Sequence, residues 1–494
     1  MLYFSAVRSR GPRRVALRSS PTAGQTGVVQ GVFHLPFSRW LILGCACVCA
    51  LLSGCSHDEL FGTGPGADAA VSTPSGVQTG LVAVTYTLTS GSVTASDVAV
   101  SYSTDGVTFR SATEGVGSDG TRNLSASASG EPHTFVWDSN EDIGGERAST
   151  VIVHVRPDSG IADTTRTFTV NNGRFMAAVE DDPQGRVRFY ELNAVDGGLL
   201  FRNTVNTGGS DPYDVLYHEG FFLVAHRTTN DVAVLDLDED NLTLVPVDGS
   251  PVRTDGIQAT YLATYSDQVF VSNPGDSSIT IFDFDDDSGA LSLNPNSGVT
   301  ATNCQGILAR SGRLYVASQA SAQILIFDIT DEGELLNNAN SPVITGGLTS
   351  PRTLISVGTR VYAGNFAEAT LAGFNLQGNG NLSALTASPF SISSAGVEQL
   401  AALDDKLAAV TGVGASFIFL TVDAFGDLTE DALSPIALTG PGFGVSARGS
   451  TFVAMTSTSQ NLHVFNESGA GLLTEAAASP VSAGVKLLRV AISD

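Results

Sequence analysis

From residue 174 to its end the chain repeats itself, and that repeat limits the possible folds more than any other feature. Seven period-two stretches recur: VRFYEL, VAVLDL, ITIFDF, ILIFDI, LAGFNL, FIFLTV and LHVFNE. Each ends near a large apolar anchor: Tyr190, Leu235, Phe282, Phe327, Phe374, Leu420 and Phe465, spaced 45–47 residues apart. A second anchor precedes each by 12–15 residues: Phe175, Phe222, Phe270, Tyr315, Tyr362, Ala408 and Phe452. Seven copies of about four short strands each predict a seven-bladed β-propeller. A β-solenoid repeats at a shorter period, and an alternating pattern excludes a helical solenoid.

The phase of the repeat predicts how the ring closes. The first copy opens on a second-type strand, RFMAAVE, with no innermost strand before it. The chain ends in VKLLRVAIS, which matches innermost strands such as PRTLISVGT. Residues 485–493 are therefore expected to complete the blade built from residues 174–206. Such closure removes two free sheet edges.

The segments before the ring read differently. In residues 77–172, LVAVTYTLT, DVAVSYSTD, HTFVWDS, STVIVHVRPD and RTFTVNN alternate between Gly, Asp and Ser turns, as in a β-sandwich with Trp137 as core anchor. The stretch YSTDGVTFRSAT followed by HTFVWDS resembles Ig-like or fibronectin-III modules of bacterial surface proteins. Residues 56–76 lack apolar periodicity and read as a tether. The expected fold class is thus all-β: a sandwich at 77–172, then a propeller at 173–494 closed by the C-terminal strand.

Residues 39–55, RWLILGCACVCALLSGC, set a basic residue before an apolar run too short for a comfortable membrane span. The run ends in Leu52-Ser53-Gly54-Cys55, which resembles the lipobox of bacterial lipoproteins. The resemblance implies a signal peptide over 1–54, lipidation at Cys55, a lipidated tether over 55–76 and a membrane partner through the anchor. The Arg-rich stretch before it is long for a signal peptide, so translation is expected to start near Val28, Val29 or Val32. Acyl chains contribute about 0.8 kcal/mol per buried methylene, so several of them anchor stably. Ser56, where aspartate would imply inner-membrane retention, implies the outer membrane of the cell envelope.

The chain carries a formal net charge of −25. Setting aside the six arginines before Cys55 (Arg8, Arg10, Arg13, Arg14, Arg18 and Arg39) leaves 19 basic against 50 acidic residues, or −31. A surface this acidic repels phosphate backbones, so no nucleic-acid partner is expected. Past Cys55 only Cys304 remains, so no internal disulfide is expected.

A second signal recurs in five of the copies, in LTLVPVDGSPVRTDG, ELLNNANSPVITGG, LSALTASPFSIS, LTEDALSPIALTG and LLTEAAASPVSAG. This Gly-x-Leu…Ser-Pro pattern over residues 174–494 resembles the lactonase/YVTN-type seven-bladed propellers. That family includes 6-phosphogluconolactonases and many surface proteins. The resemblance implies the fold and, as one reading, a lactone hydrolase. No family catalytic residue matches a position here. The ring holds only His218, His226 and His463, and of these only His226, at the end of a second strand, falls near a mouth.

Propeller ligands usually meet the loops leading into the innermost strands. Aligning the copies places Pro212 with Tyr213, Thr260, Gln305, Arg352, Glu398, Phe443 and Lys486 there. Arg352 and Lys486 could hold an anion, and Glu398 could act as base. The alternation of Asp283, Asp285 and Asp287 resembles the start of a calcium loop, but Ser288 and Asn294 stand where Gly and Glu are required, so an Asp-rich turn is expected and no metal site. Cys304 lacks a base in register and reads as a buried thiol. No phosphate loop, nucleophile elbow or paired-His motif implies a cofactor. These features favour a monomeric envelope module that binds a protein or carbohydrate at the propeller face, with a lactonase-like hydrolase as the alternative.

Overall fold

The computed structural model describes residues 66–493 except 146, 194–196, 239–240 and 468–471. The signal segment, Cys55 and most of the tether lie outside the described residues. The described chain falls into two compact units, one of residues 66–138 and 149–169, the other of 139–148 and 170–493.

The first unit is the sandwich. One sheet orders Asp68–Val71, Leu81–Thr89 and Glu131–Asp138; the other centres on Arg147–Pro157, beside Val98–Ser103. Leu81–Thr89 alternates between buried and exposed residues, as a half-buried strand should. Trp137 is fully buried, with the Tyr102 ring 4.9 Å away. Residues 68–71, read above as tether, pair with Tyr86–Thr89 instead. Asp-Ala-Ala-Val is too short to show a period, and an edge strand needs only one partner.

The second unit is a ring of seven sheets. From blade two to blade seven the innermost strands are Pro212–His218, Tyr261–Tyr265, Cys304–Arg310, Pro351–Val357, Val397–Leu403 and Gly442–Arg448. Blade one takes its innermost strand from the chain's end. Leu487–Ile492 runs antiparallel to Arg174–Glu180, with Met176 opposite Ile492 and Ala178 opposite Val490. All the anchor residues of both types are buried.

The recurring Gly-x-Leu…Ser-Pro signal is a device of blade construction. After the fourth strand the chain passes the third strand again: Leu235 faces Pro246, and Val232 faces Val252. Between those pairings the Val234 amide donates to the Ser250 hydroxyl, 2.8 Å away. Ser341, Ser388, Ser434 and Ser479 accept from Ile326, Gly373, Phe419 and Val464 in the same way. In blade three Ser297 does so without a following proline. The glycines serve the seams. Gly289, Gly333, Gly380 and Gly426 all have φ between 72° and 91°. A Cβ on them would strike Phe221, Gln268, Arg313 and Arg360 of the preceding blade.

Candidate functional site

A local backbone irregularity builds the mouth. In six blades the register slips as the innermost strand begins, and one side chain gains an extra position: Tyr213, Gln305, Arg352, Glu398, Phe443 and Leu488. Such a bulge re-aims side chains out of the sheet. Blade three runs regularly from Tyr261, which faces Ser272.

These residues converge as a plug. The Arg352 guanidinium lies 3.2 Å from both the Tyr213 hydroxyl and a Glu398 oxygen, and its Nε is 3.4 Å from the Tyr261 hydroxyl. Arg489, fully buried, reaches the Tyr213 hydroxyl at 3.5 Å and donates to the Phe443 carbonyl. The Tyr213 ring is flanked by the Arg489 and Arg227 guanidiniums, 5.1 and 4.4 Å from its centroid. Buried Asp214 accepts the Leu262 amide of the next blade at 3.0 Å. Two guanidiniums, two carboxylates and two phenols thus share one largely buried cluster.

Burial and charge shape the titration of this cluster. Burial pushes the Asp214 carboxyl up to about 6, although Arg489 opposes it. Burial likewise raises Glu398 against the pull of Arg352 and Arg489. Burial opposes ionisation of Tyr213, yet Arg489 and Arg352 outweigh it and lower its pKa; Tyr261 is held above the usual phenol range, by burial first. Burial disfavours the charged forms of both arginines, but the tyrosines and carboxylates around them more than compensate.

The structure brings Tyr213, Arg352 and Glu398 of the aligned positions together, with the Phe443 backbone. Thr260 is turned away, its hydroxyl donating to the Gln258 carbonyl at 2.6 Å, because the regular start of blade three presents Tyr261 instead. Lys486 pairs with Asp181 outside the cluster. Leu488 takes the bulge position of that blade, so the alignment was two residues out there. Asp214, Tyr261 and Arg489 were not singled out from the sequence. Arg489 did leave a signal: a lone cation inside the apolar strand LLRVAI.

Gln305 joins a different feature. A groove of about 400 Å³ over blades three to five is lined by Asn303, Gln305, Gln319, Thr349 and Ser350, with Pro274 and Ala320 as its apolar parts. Buried Asn365 fixes one wall, its side-chain oxygen accepting the Thr349 and Ser350 amides at 3.1 and 3.3 Å. Asn303 is tied to Ser321 at 3.0 Å. The side-chain amides of Gln305 and Gln319 bond to no other described residue.

Three further groups look chemical and are structural. His226 lies 2.6 Å from the Thr207 hydroxyl and 2.8 Å from Asp231, a nucleophile–base–acid arrangement. It is fully buried, and Gly209 packs so tightly on its ring that a Cβ there would come within 2.3 Å. Other blades put Asn365 with Thr370, Thr411 with Ser416 and Thr456 with Asn461 at the same place, so the position latches the second strand to the third. The Cys304 thiol is buried and burial pushes it up to about 11. Asp285 accepts the Ser288 amide and hydroxyl as a turn residue. Among the described residues no group of three His, Cys, Asp or Glu could hold a metal ion.

Solved structures share this ring. A periplasmic gluconolactonase of Pseudomonas aeruginosa superposes with a TM-score of 0.55 at 15% identity, over 65% of this chain and 98% of its own. A candidate 6-phosphogluconolactonase from Bacteroides fragilis gives 0.54 at 17% identity, over 65% and 98%. A protein from Lactobacillus plantarum gives 0.53 at 16%, over 65% and 99%. The ring has the lactonase-like propeller fold. At these identities the likeness of the propeller concerns fold, not chemistry. No family model matches the chain, and no curated protein matches it.

Proposed function

We propose that this protein is an envelope lipoprotein, anchored through Cys55 in the outer membrane, whose propeller face binds a carbohydrate or protein ligand. One observation carries the binding reading. The charged groups of the axial plug are held within it, Arg352 by Glu398 and Tyr213, Arg489 by Tyr213 and backbone carbonyls, and Asp214 by the Leu262 amide, whereas the groove beside it keeps uncommitted side-chain amides. Binding needs groups free to exchange water for ligand. A thermal-shift screen of the full protein against sugars, lactones and divalent ions tests this, because a ligand of the native state raises apparent stability. No shift with any of them, and no protein captured from envelope extracts, refutes it. The anchor is tested separately: Cys55→Ala abolishes labelling with a palmitate analogue, and labelling that persists refutes it.

A lactone hydrolase is the second reading, favoured by the fold shared with the gluconolactonase and by Glu398 held near Arg352 and two phenols. Against it, Glu398 already pairs with Arg352, and His226 is sealed away. Turnover of glucono-δ-lactone that Glu398→Gln abolishes would establish it.

A further inference from the structure

We infer that the groove over blades three to five is a subsite for a neutral, hydroxyl-rich saccharide, which rests on the binding reading and names its ligand class. Four features point this way. First, no ionisable side chain lines the groove, although the chain as a whole is strongly charged. The adjacent cation, Arg352, is spent on Tyr213, Tyr261 and Glu398 and stacks on Phe366 at 4.3 Å. An anionic ligand would face a net charge of −25 with no free counter-charge.

Second, the free groups match sugar hydroxyls. A Gln side chain offers two donors and an acceptor on one rigid plane, and each hydroxyl both donates and accepts. Gln305 and Gln319 stand uncommitted, and the exposed Thr349 adds a hydroxyl. Third, Pro274 and Ala320 give apolar surface for the C–H face of a pyranose ring. Ile257, 53% exposed, extends it; its carbonyl accepts the Gly275 amide beside Pro274. Fourth, about 400 Å³ lies at the lower end of the roughly 300–1,000 Å³ of small-ligand sites, room for a short stretch of glycan. An extended peptide binding by strand addition would need an unpaired sheet edge, and the lining residues are mainly turn residues.

The test is isothermal titration of the full-length protein in detergent with maltohexaose, cellohexaose and chitohexaose, and with hexagalacturonate as the acidic counterpart. At least one neutral hexasaccharide is expected to bind, and hexagalacturonate is not. Gln305→Ala and Gln319→Ala should each weaken binding by roughly two- to tenfold, the net range of one hydrogen bond. Ala320→Trp, at an exposed position, fills the groove and should abolish binding with unfolding unchanged. Preference for hexagalacturonate overturns the inference, as does neutral binding that Ala320→Trp leaves intact or failure of every neutral probe. In that last case a protein ligand captured at the same face would leave the broader binding reading standing.

Discussion

Arg352 and Gln305 occupy the same bulge position in neighbouring blades, yet one belongs to the axial plug and the other to the open groove. The plug is rich in charge and has little left to offer. Arg352 is held by Glu398 and the two phenols, Arg489 by Tyr213 and backbone carbonyls, and Asp214 by the Leu262 amide. The groove has no charge, but its amides are uncommitted. Availability, not charge, separates a structural cluster from a binding surface. The two regions should accordingly respond to change in opposite ways: the plug through stability, the groove through binding.

The largest effect should come from removing the strand that carries Arg489. A chain ending at Gly484 loses the closing strand and the burial of Leu487, Val490 and Ile492. Each such side chain contributes roughly 1.5–3 kcal/mol, against a typical domain stability of roughly 5–15 kcal/mol. Aggregation on size exclusion or loss of the propeller's thermal transition is expected. A monomer with an unchanged transition would mean that neither the plug nor the ring depends on that strand.

Next comes Arg489→Met, which removes the cation acting on buried Asp214, whereas Glu398 keeps Arg352. Breaking one side of a buried ion network costs about 3–5 kcal/mol, whereas neutralising both sides costs far less. Denaturant titration should therefore show Asp214→Asn recovering part of the loss in the double variant. Additive losses would mean that the two residues do not interact.

Asp214 should also give the plug a pH signature. Its folded carboxyl titrates at about 6, above its ordinary 3.8, so the folded state takes up a proton more readily than the unfolded chain. The resulting stabilisation, about 3 kcal/mol, is fully present below pH 4 and is lost as pH rises through 6. Unfolding measured from pH 4 to pH 7 should show this slope in the natural protein, and Asp214→Asn should flatten it. Equal slopes would mean that Asp214 is hydrated.

The smallest stability effect belongs to the groove. Gln305→Ala and Gln319→Ala should change unfolding free energy by no more than about 0.5 kcal/mol, as for surface sites outside any network. A larger loss would show that these amides hold the ring together and are not reserved for a ligand.

By itself the sequence determined the architecture, because a repeat of alternating strands leaves few ways to bury its apolar faces. The anchors from Phe175 to Phe465, the sandwich strands and the pairing of the C-terminal strand with residues 174–180 were all legible from period and phase. The Ser-Pro and Gly-x-Leu marks were legible as repeats too, but their roles in the ladder gap and the blade seams required three dimensions. The mouth was legible only in part. The start of blade three lacks the bulge that the other six blades carry, and nothing in the sequence marks that difference, which is why Tyr261 takes the place expected of Thr260; in the closing strand the bulge falls at Leu488, two residues past Lys486. Tertiary structure alone decided which polar groups meet. Tyr213 and Asp214, Arg352, Glu398 and Arg489 come from four strand beginnings distributed along the ring, and only closure brings them together. Gln305, at the same bulge position, lines the groove instead, because hydrogen-bond partners are set by distance in space and not by position in a repeat.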